Sequence, residues 1–206
     1  TEIYTLSLHD ALPILGDVIE QAGEFRDRAD LSLSNRQEEL FLRLRALGKP
    51  VVTVLISTKP LCVARVAEES AAFIAAFNGG MYGGQAVAET IFGLINPGGK
   101  LPISFPRHSG QIPVYYNSLP GWHGGKYVDL PDTPLFVFGE GLSYTSFSYE
   151  NIRVDAQTLQ LSVRLTNTGA REGSETAQVY VRDLVSSVIT PDKRLIASQQ
   201  VSLAAG

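Results

Sequence analysis

The sequence predicts an α/β fold: an open, mostly parallel sheet with flanking helices, followed by a truncated antiparallel β-sandwich. Three observations carry this. Runs that are apolar on both faces, as buried parallel strands are, alternate with helical patterns in the first half. A stretch rich in proline, glycine and aromatics then shows no period. From about Tyr149 the apolar residues recur every second position, as on a half-buried antiparallel strand.

The elements follow in order. Ser34 and Gln37 have the spacing of a capping box, which predicts a helix start there. Leu40, Phe41, Leu44 and Leu47 then fall on one helical face, and Gly48 suits the position just past the helix end. "PVVTVLI" (Pro50 to Ile56) reads as a buried strand. "AAFIAAF" (Ala71 to Phe77) reads as a second, with a helix as the alternative. "GGQAVAETIFG" (Gly83 to Gly93) is a short helix, "NPGG" (Asn96 to Gly99) a turn, and "KLPISFP" (Lys100 to Pro106) a strand with proline at its margins. Residues 107–135 form a long loop, either functional or disordered. Tyr115, Tyr116, Trp122 and Tyr127 within it argue against disorder. Leu159, Leu161, Val163 and Leu165, then Ala177, Val179 and Val181, give the alternation of the opening strands of a sandwich.

Composition narrows the function classes. The 206 residues allow one or two domains, and 44% hydrophobic with 18% charged residues is a globular balance. A net charge of −4 without a basic stripe argues against a nucleic-acid partner. No apolar run reaches the roughly 18 residues of a membrane span. The single cysteine, Cys62, excludes an internal disulfide and a cysteine-based zinc cluster, and reads as a small hydrophobe rather than a catalytic thiol. Cysteine usage does not fix a compartment.

Residues 1–14, "TEIYTLSLHDALPI", lack the cationic start and small-residue ending of a signal peptide. They resemble translated sequencing adapter, and the alternative is a genuine strand from Ile3 to Leu8. With "SLAAG" stopping abruptly at the other end, the chain is expected to be a gene fragment.

Several stretches offer chemistry. "GGMYGG" (Gly79 to Gly84) before a helix suits either an anion site or a tight strand-to-helix turn. The missing Lys-Ser/Thr and G-x-G-x-x-G spacing weaken a nucleotide reading. His108 and His123 lack metal-ligand spacing and suit surface or packing roles. Trp122 in "PGWHGGKY" either stacks on a sugar ring or anchors its loop in the core. "GEFRDRAD" places Glu24, Arg26, Asp27, Arg28 and Asp30 within eight residues. Glu24 is either solvated or a working carboxyl group. In the second case Arg26 and Arg28 would favour its ionised form, and burial against Phe25 its neutral form.

Longer motifs resemble a known family. "GEFRDRADLSL" with "GKPVVTVL", then "GMYGGQAVAETIFGLINPGGKLPISFPRHSGQIPVYYN", then "PLFVFGEGLSYTSFSY" resemble, in that order, the C-terminal half of glycoside hydrolase family 3. The tail "LSVRLTNTGAREGSETAQVYVRD" is similar to the start of the fibronectin type III-like domain that follows in many members. On this resemblance residues 15–148 are the C-terminal α/β domain, incomplete at its N-terminus, and 149–206 a truncated fibronectin type III-like domain.

The resemblance implies a retaining exo-β-glycosidase, of β-glucosidase or β-xylosidase type. It would act on β-linked oligosaccharides or glycosides at the non-reducing end and need neither cofactor nor metal. It also implies that Glu24, four residues before Arg28, is the general acid/base, with Glu20 and Asp27 less well placed. The nucleophile belongs to an N-terminal barrel that the chain lacks, so the isolated chain is expected to be inactive. The adapter-like start is further expected to replace the strand ahead of the Glu24 loop. Two departures, Tyr82 where many members carry Glu and Glu140 where many carry Tyr, read as subgroup variation. The rival is a non-catalytic carbohydrate-binding module, for which Glu24 is dispensable and Trp122 matters.

Overall fold

The computed structural model describes residues 11–121 and 127–206. The strand alternative at Ile3 to Leu8, and the roles weighed for Trp122 and His123, lie outside the described residues.

Three parallel strands form the first sheet in the order β1 (Ile14–Gly16), β2 (Val52–Ile56), β3 (Ala72–Ala75). Helix α1 (Gln37–Arg45) joins β1 to β2, and α2 (Ala64–Glu69) joins β2 to β3, so the chain makes two successive βαβ units. The strand expected to be missing ahead of the Glu24 loop is present. Ile14, Leu15 and Gly16 pair with Val54, Leu55 and Ile56, and Ala11 bridges Val51. The ladder is made by backbone groups, which carry no sequence preference of their own. Leu15 is buried, while Leu12 and Ile14 are exposed.

The core lies between this sheet and its helices. Leu15, Leu31, Phe41, Val51, Leu55, Leu61, Val63, Val66 and Phe105 form one buried cluster. On α1 only Phe41 is fully buried, and Leu42 and Leu44 pack beside it. Leu40 and Leu47 are exposed, so the expected apolar stripe is narrower than the spacing implied. Gly48, at φ +70°, ends the turn after α1 as expected. Buried Thr53 meets the Ser70 hydroxyl at 2.7 Å, which satisfies both groups.

Helix α3 (Gly83–Ile91) follows the glycine-rich turn where the sequence placed it. "KLPISFP" is not a sheet strand. Pro102 and Pro106 have no N–H to give a ladder. The segment pairs instead with the loop near residues 135–140: Phe105 bridges Phe136, and Leu101 donates its N–H to the Glu140 carbonyl while its own carbonyl accepts from the Gly139 N–H. Nor does Asn96 to Gly99 close a hydrogen-bonded turn. The Asn96 side chain instead accepts from Ser143 Oγ and the Tyr144 amide, and donates to the Glu172 carbonyl. The long loop is held in part by buried Gln111, which accepts from the Arg107 amide and donates to the Pro131 carbonyl.

The second half forms two antiparallel hairpins, β4 (Phe147–Val154) with β5 (Leu161–Asn167) and β6 (Gly173–Val181) with β7 (Arg194–Leu203). Leu159, expected inside a strand, sits in the β4–β5 turn at φ +56°. Alternate residues of β6 reach back to the first half: Thr176 donates to the Gly98 carbonyl and Gln178 to the Gly139 carbonyl. Gly98 and Gly139 permit that approach, since a Cβ on either would lie 2.5 Å or less from a β6 oxygen. Among the described residues no helix is long and apolar enough to cross a membrane.

Candidate functional site

In an open parallel sheet, ligands bind outside the carboxyl ends of the strands. Here those ends are Gly16, Ile56 and Ala75. The loop after β1 carries Glu24, and the loop after β3 carries "GGMYGG".

The Glu24 loop is anchored at its base. Gly16 has φ +149°, and a Cβ there would stand 1.7 Å from the Ile56 carbonyl oxygen, so only glycine fits. The next residue, Asp17, has a side chain only 3% exposed. Its Oδ1 accepts from Arg28 Nη1 at 3.2 Å. Its Oδ2 faces Ser57 Oγ at 3.0 Å, and the Thr58 amide and hydroxyl at 3.1 Å each. Arg28 also donates to the Ser32 carbonyl at 2.7 Å. Lys59 Nζ donates to the Gln21 carbonyl at 2.6 Å. Arg28 thus closes the far side of the loop onto β1, and Lys59 ties the near side to the loop after β2.

Gln37 adds a second support, and corrects the expected capping box. No side chain caps the start of α1. The Gln37 amide instead accepts from the Gly16 N–H at 2.7 Å and donates to the Gly16 carbonyl at 2.8 Å. The open edge of β1 offers one donor and one acceptor, and a primary amide matches both. Ser34 Oγ only receives a bond from Gln37 Nε2, at 3.2 Å.

Between these anchors the tip of the loop projects into solvent. Gly23 has φ +102° and Phe25 φ +60°. Residues 23–27 are exposed, Glu24 and the alternative Asp27 among them, as is Glu20 nearer the base. Two expectations about the surroundings of Glu24 are corrected. Arg28 pairs with Asp17, whose side chain is almost wholly buried, and makes no ion pair with Glu24. Phe25 is 91% exposed and buries nothing. Among the described residues, no hydrogen bond or ion pair engages the Glu24 carboxylate. Asp30 stays below the usual carboxylate range because the Ser32 hydroxyl and amide both donate to it.

The remaining candidates have plainer roles. Burial pushes the Cys62 thiol up, opposed by its contact with the Ser109 hydroxyl, so it stays protonated at neutral pH. His108 Nδ1 accepts from the Gly110 amide at 3.0 Å, a local loop contact. "GGMYGG" makes the strand-to-helix turn, where a Cβ on Gly79 would lie 2.6 Å from Gly83 Cα. Tyr82 is exposed there, and Glu140 accepts from the Val137 amide. Among the described residues no group of three or more His, Cys, Asp or Glu is placed to hold a metal ion. Sequence reasoning missed Asp17, Ser57, Thr58 and Lys59. The available signal was an Asp directly after an apolar strand-forming run, at the carboxyl edge of the predicted sheet.

Comparison with known proteins identifies the family. The family model described as "Glycosyl hydrolase family 3 C-terminal domain" matches residues 9–144. A β-xylosidase of Formosa agariphila is 43% identical over 202 residues, covering 94% of this chain and 28% of the relative. A periplasmic β-glucosidase of Salmonella typhimurium is 36% identical over 209 residues, with 94% and 27% covered. The crystal structure of a β-glucosidase from Listeria innocua in complex with glucose superposes with a TM-score of 0.87 at 33% identity, covering 100% of this chain and 33% of that one. The chain therefore spans about a third or less of the length of the proteins it matches.

Proposed function

This chain belongs to glycosyl hydrolase family 3 through its C-terminal domain, and on that premise we propose that it supplies the general acid/base of a retaining exo-β-glycosidase, a β-glucosidase or β-xylosidase. Glu24 is that residue, and the nucleophile comes from a barrel domain outside this chain. The observation that carries the reading is the placement of Glu24. It stands at the exposed tip of a loop at the carboxyl edge of the sheet, with the loop's base held by a buried ion pair.

The chemistry then runs in two steps. Glu24, protonated, gives its proton to the glycosidic oxygen as the barrel's carboxylate attacks the anomeric carbon. The C–O bond to the leaving group breaks and a glycosyl-enzyme forms. Glu24, now ionised, takes a proton from water as that water attacks the anomeric carbon and frees the nucleophile. Such pairs stand about 5–5.5 Å apart. A solvent-facing carboxyl that none of the described residues pairs with is open to be covered by the other half of the site. Residues 15–148 are read as the α/β domain and 149–206 as the start of a fibronectin type III-like domain. Residues 1–14 are read as adapter translation, which sequencing the source DNA upstream of the Leu15 codon checks.

The test is Glu24→Gln in the complete enzyme. General acid catalysis contributes about 10²–10⁴-fold. A loss of that size is expected for an alkyl or sugar leaving group, and a much smaller one in the first step with a β-glycosyl fluoride, whose leaving group needs little protonation. Equal activity of variant and parent on both substrates would remove Glu24 from the mechanism.

A further inference from the structure

We propose that Phe25 forms part of the leaving-group subsite and selects substrates whose aglycone presents a flat face, a sugar ring or an aromatic ring. The inference rests on Glu24 being the acid/base. A general acid must touch the glycosidic oxygen, so the residues next to it in the loop border the leaving group rather than the sugar that is transferred.

Three observations single out Phe25 among those neighbours. Its ring is 91% exposed, on a loop whose other tip residues are small, polar or charged. Its backbone has φ +60°, a conformation that is costly for a bulky residue. Strained residues of this kind concentrate at ligand-contacting sites. Finally, the tip is presented from fixed ends, by Arg28 on Asp17 at one side and Lys59 on the Gln21 carbonyl at the other. Phe25 belongs to neither the buried cluster nor the hydrophobics packed on it, so its ring contributes nothing to this chain's own core. An aromatic face offered beside an acid suits the apolar C–H face of a pyranose, or an aryl ring by offset stacking.

The experiment compares three donors in the complete enzyme: a β-linked disaccharide, an aryl β-glycoside and the β-glycosyl fluoride. Aromatic contacts of this kind are worth about 0.5–1.5 kcal/mol, and 1.4 kcal/mol is tenfold. Phe25→Ala is therefore expected to lower kcat/KM about 2- to 12-fold for the disaccharide and the aryl glycoside. The fluoride, with no aglycone to stack, should be unchanged, and Phe25→Trp should keep the parent's ratios. An equal loss on all three donors would overturn the proposal and make Phe25 a contact to another part of the protein; no loss on any would overturn it too. Glu24→Gln, run in parallel, separates the two readings. If it retains full activity the acid/base assignment fails and this inference with it. If it behaves as an acid/base variant while Phe25→Ala shows no selectivity, only this inference fails.

Discussion

Asp17 gathers four donors onto a carboxylate that is almost wholly out of water. Removing one partner of a buried pair leaves the other desolvated and unmatched, a cost of about 3–5 kcal/mol. Asp17→Ala is therefore expected to lower the unfolding free energy by about 3 kcal/mol or more in chemical denaturation. A change under about 1 kcal/mol would show that the loop is held by something else. Asp17 was hard to read in the sequence because Ser57 and Thr58 lie some forty residues away, and only the parallel pairing of β1 and β2 brings them together. The Glu24–Arg28 spacing was legible, but the partner of Arg28 was not: a short interval shows which residues are near in the chain, not which carboxylate is buried. Gln37 was misread for a related reason. Its spacing from Ser34 fits a cap, yet the open edge of β1 offered its amide two bonds at once.

At the scale of elements, continuous apolar runs were dependable. β2, β3 and α3 stand where the pattern put them, although only β2 is enclosed: its Thr53, Val54 and Leu55 are buried, β3 is half-buried, and α3 has no buried residue. "KLPISFP" misled because it has a strand's apolar content while its prolines withhold ladder donors. The packing of the second half on the first was invisible, since it depends on glycines 98 and 139 meeting β6. One contact between the two hairpins has a pH signature. Tyr149 on β4 donates to Glu175 on β6 at 2.9 Å, and Glu175 also pairs with Lys100 at 3.2 Å. Partial burial, then the bond to Glu175 and its charge, push the Tyr149 hydroxyl up to about 12. The unfolded chain releases that proton near pH ~10. The folded state therefore holds more protons between about 10 and 12, and stability falls as pH rises through that window. Below it the contribution is fully present. The denaturation midpoint of the parent should exceed that of Tyr149→Phe at neutral pH, with the gap closing above about pH 10. A gap that is constant with pH would contradict this account.

For the molecule as a whole, the proposed function puts the active site between two parts of one protein. This chain holds an anchored loop with an exposed carboxyl at its tip, and on the proposed function the nucleophilic carboxylate comes from outside it. By itself the chain should not turn over aryl β-glycosides; hydrolysis that Glu24→Gln abolishes would show that it carries its own nucleophile. That proposal rests on the order of motifs along the sequence. Fold alone does not fix function, and Glu24 in isolation looks like any solvated glutamate. The most direct test of its role is azide rescue of Glu24→Ala in the complete enzyme. Azide is a nucleophile that needs no general base. If Glu24 is the acid/base, azide should restore turnover of an activated aryl β-glycoside and release the β-glycosyl azide, with configuration retained. If azide gives no acceleration and no glycosyl azide while the variant remains folded, Glu24 is not the acid/base and the central claim is wrong.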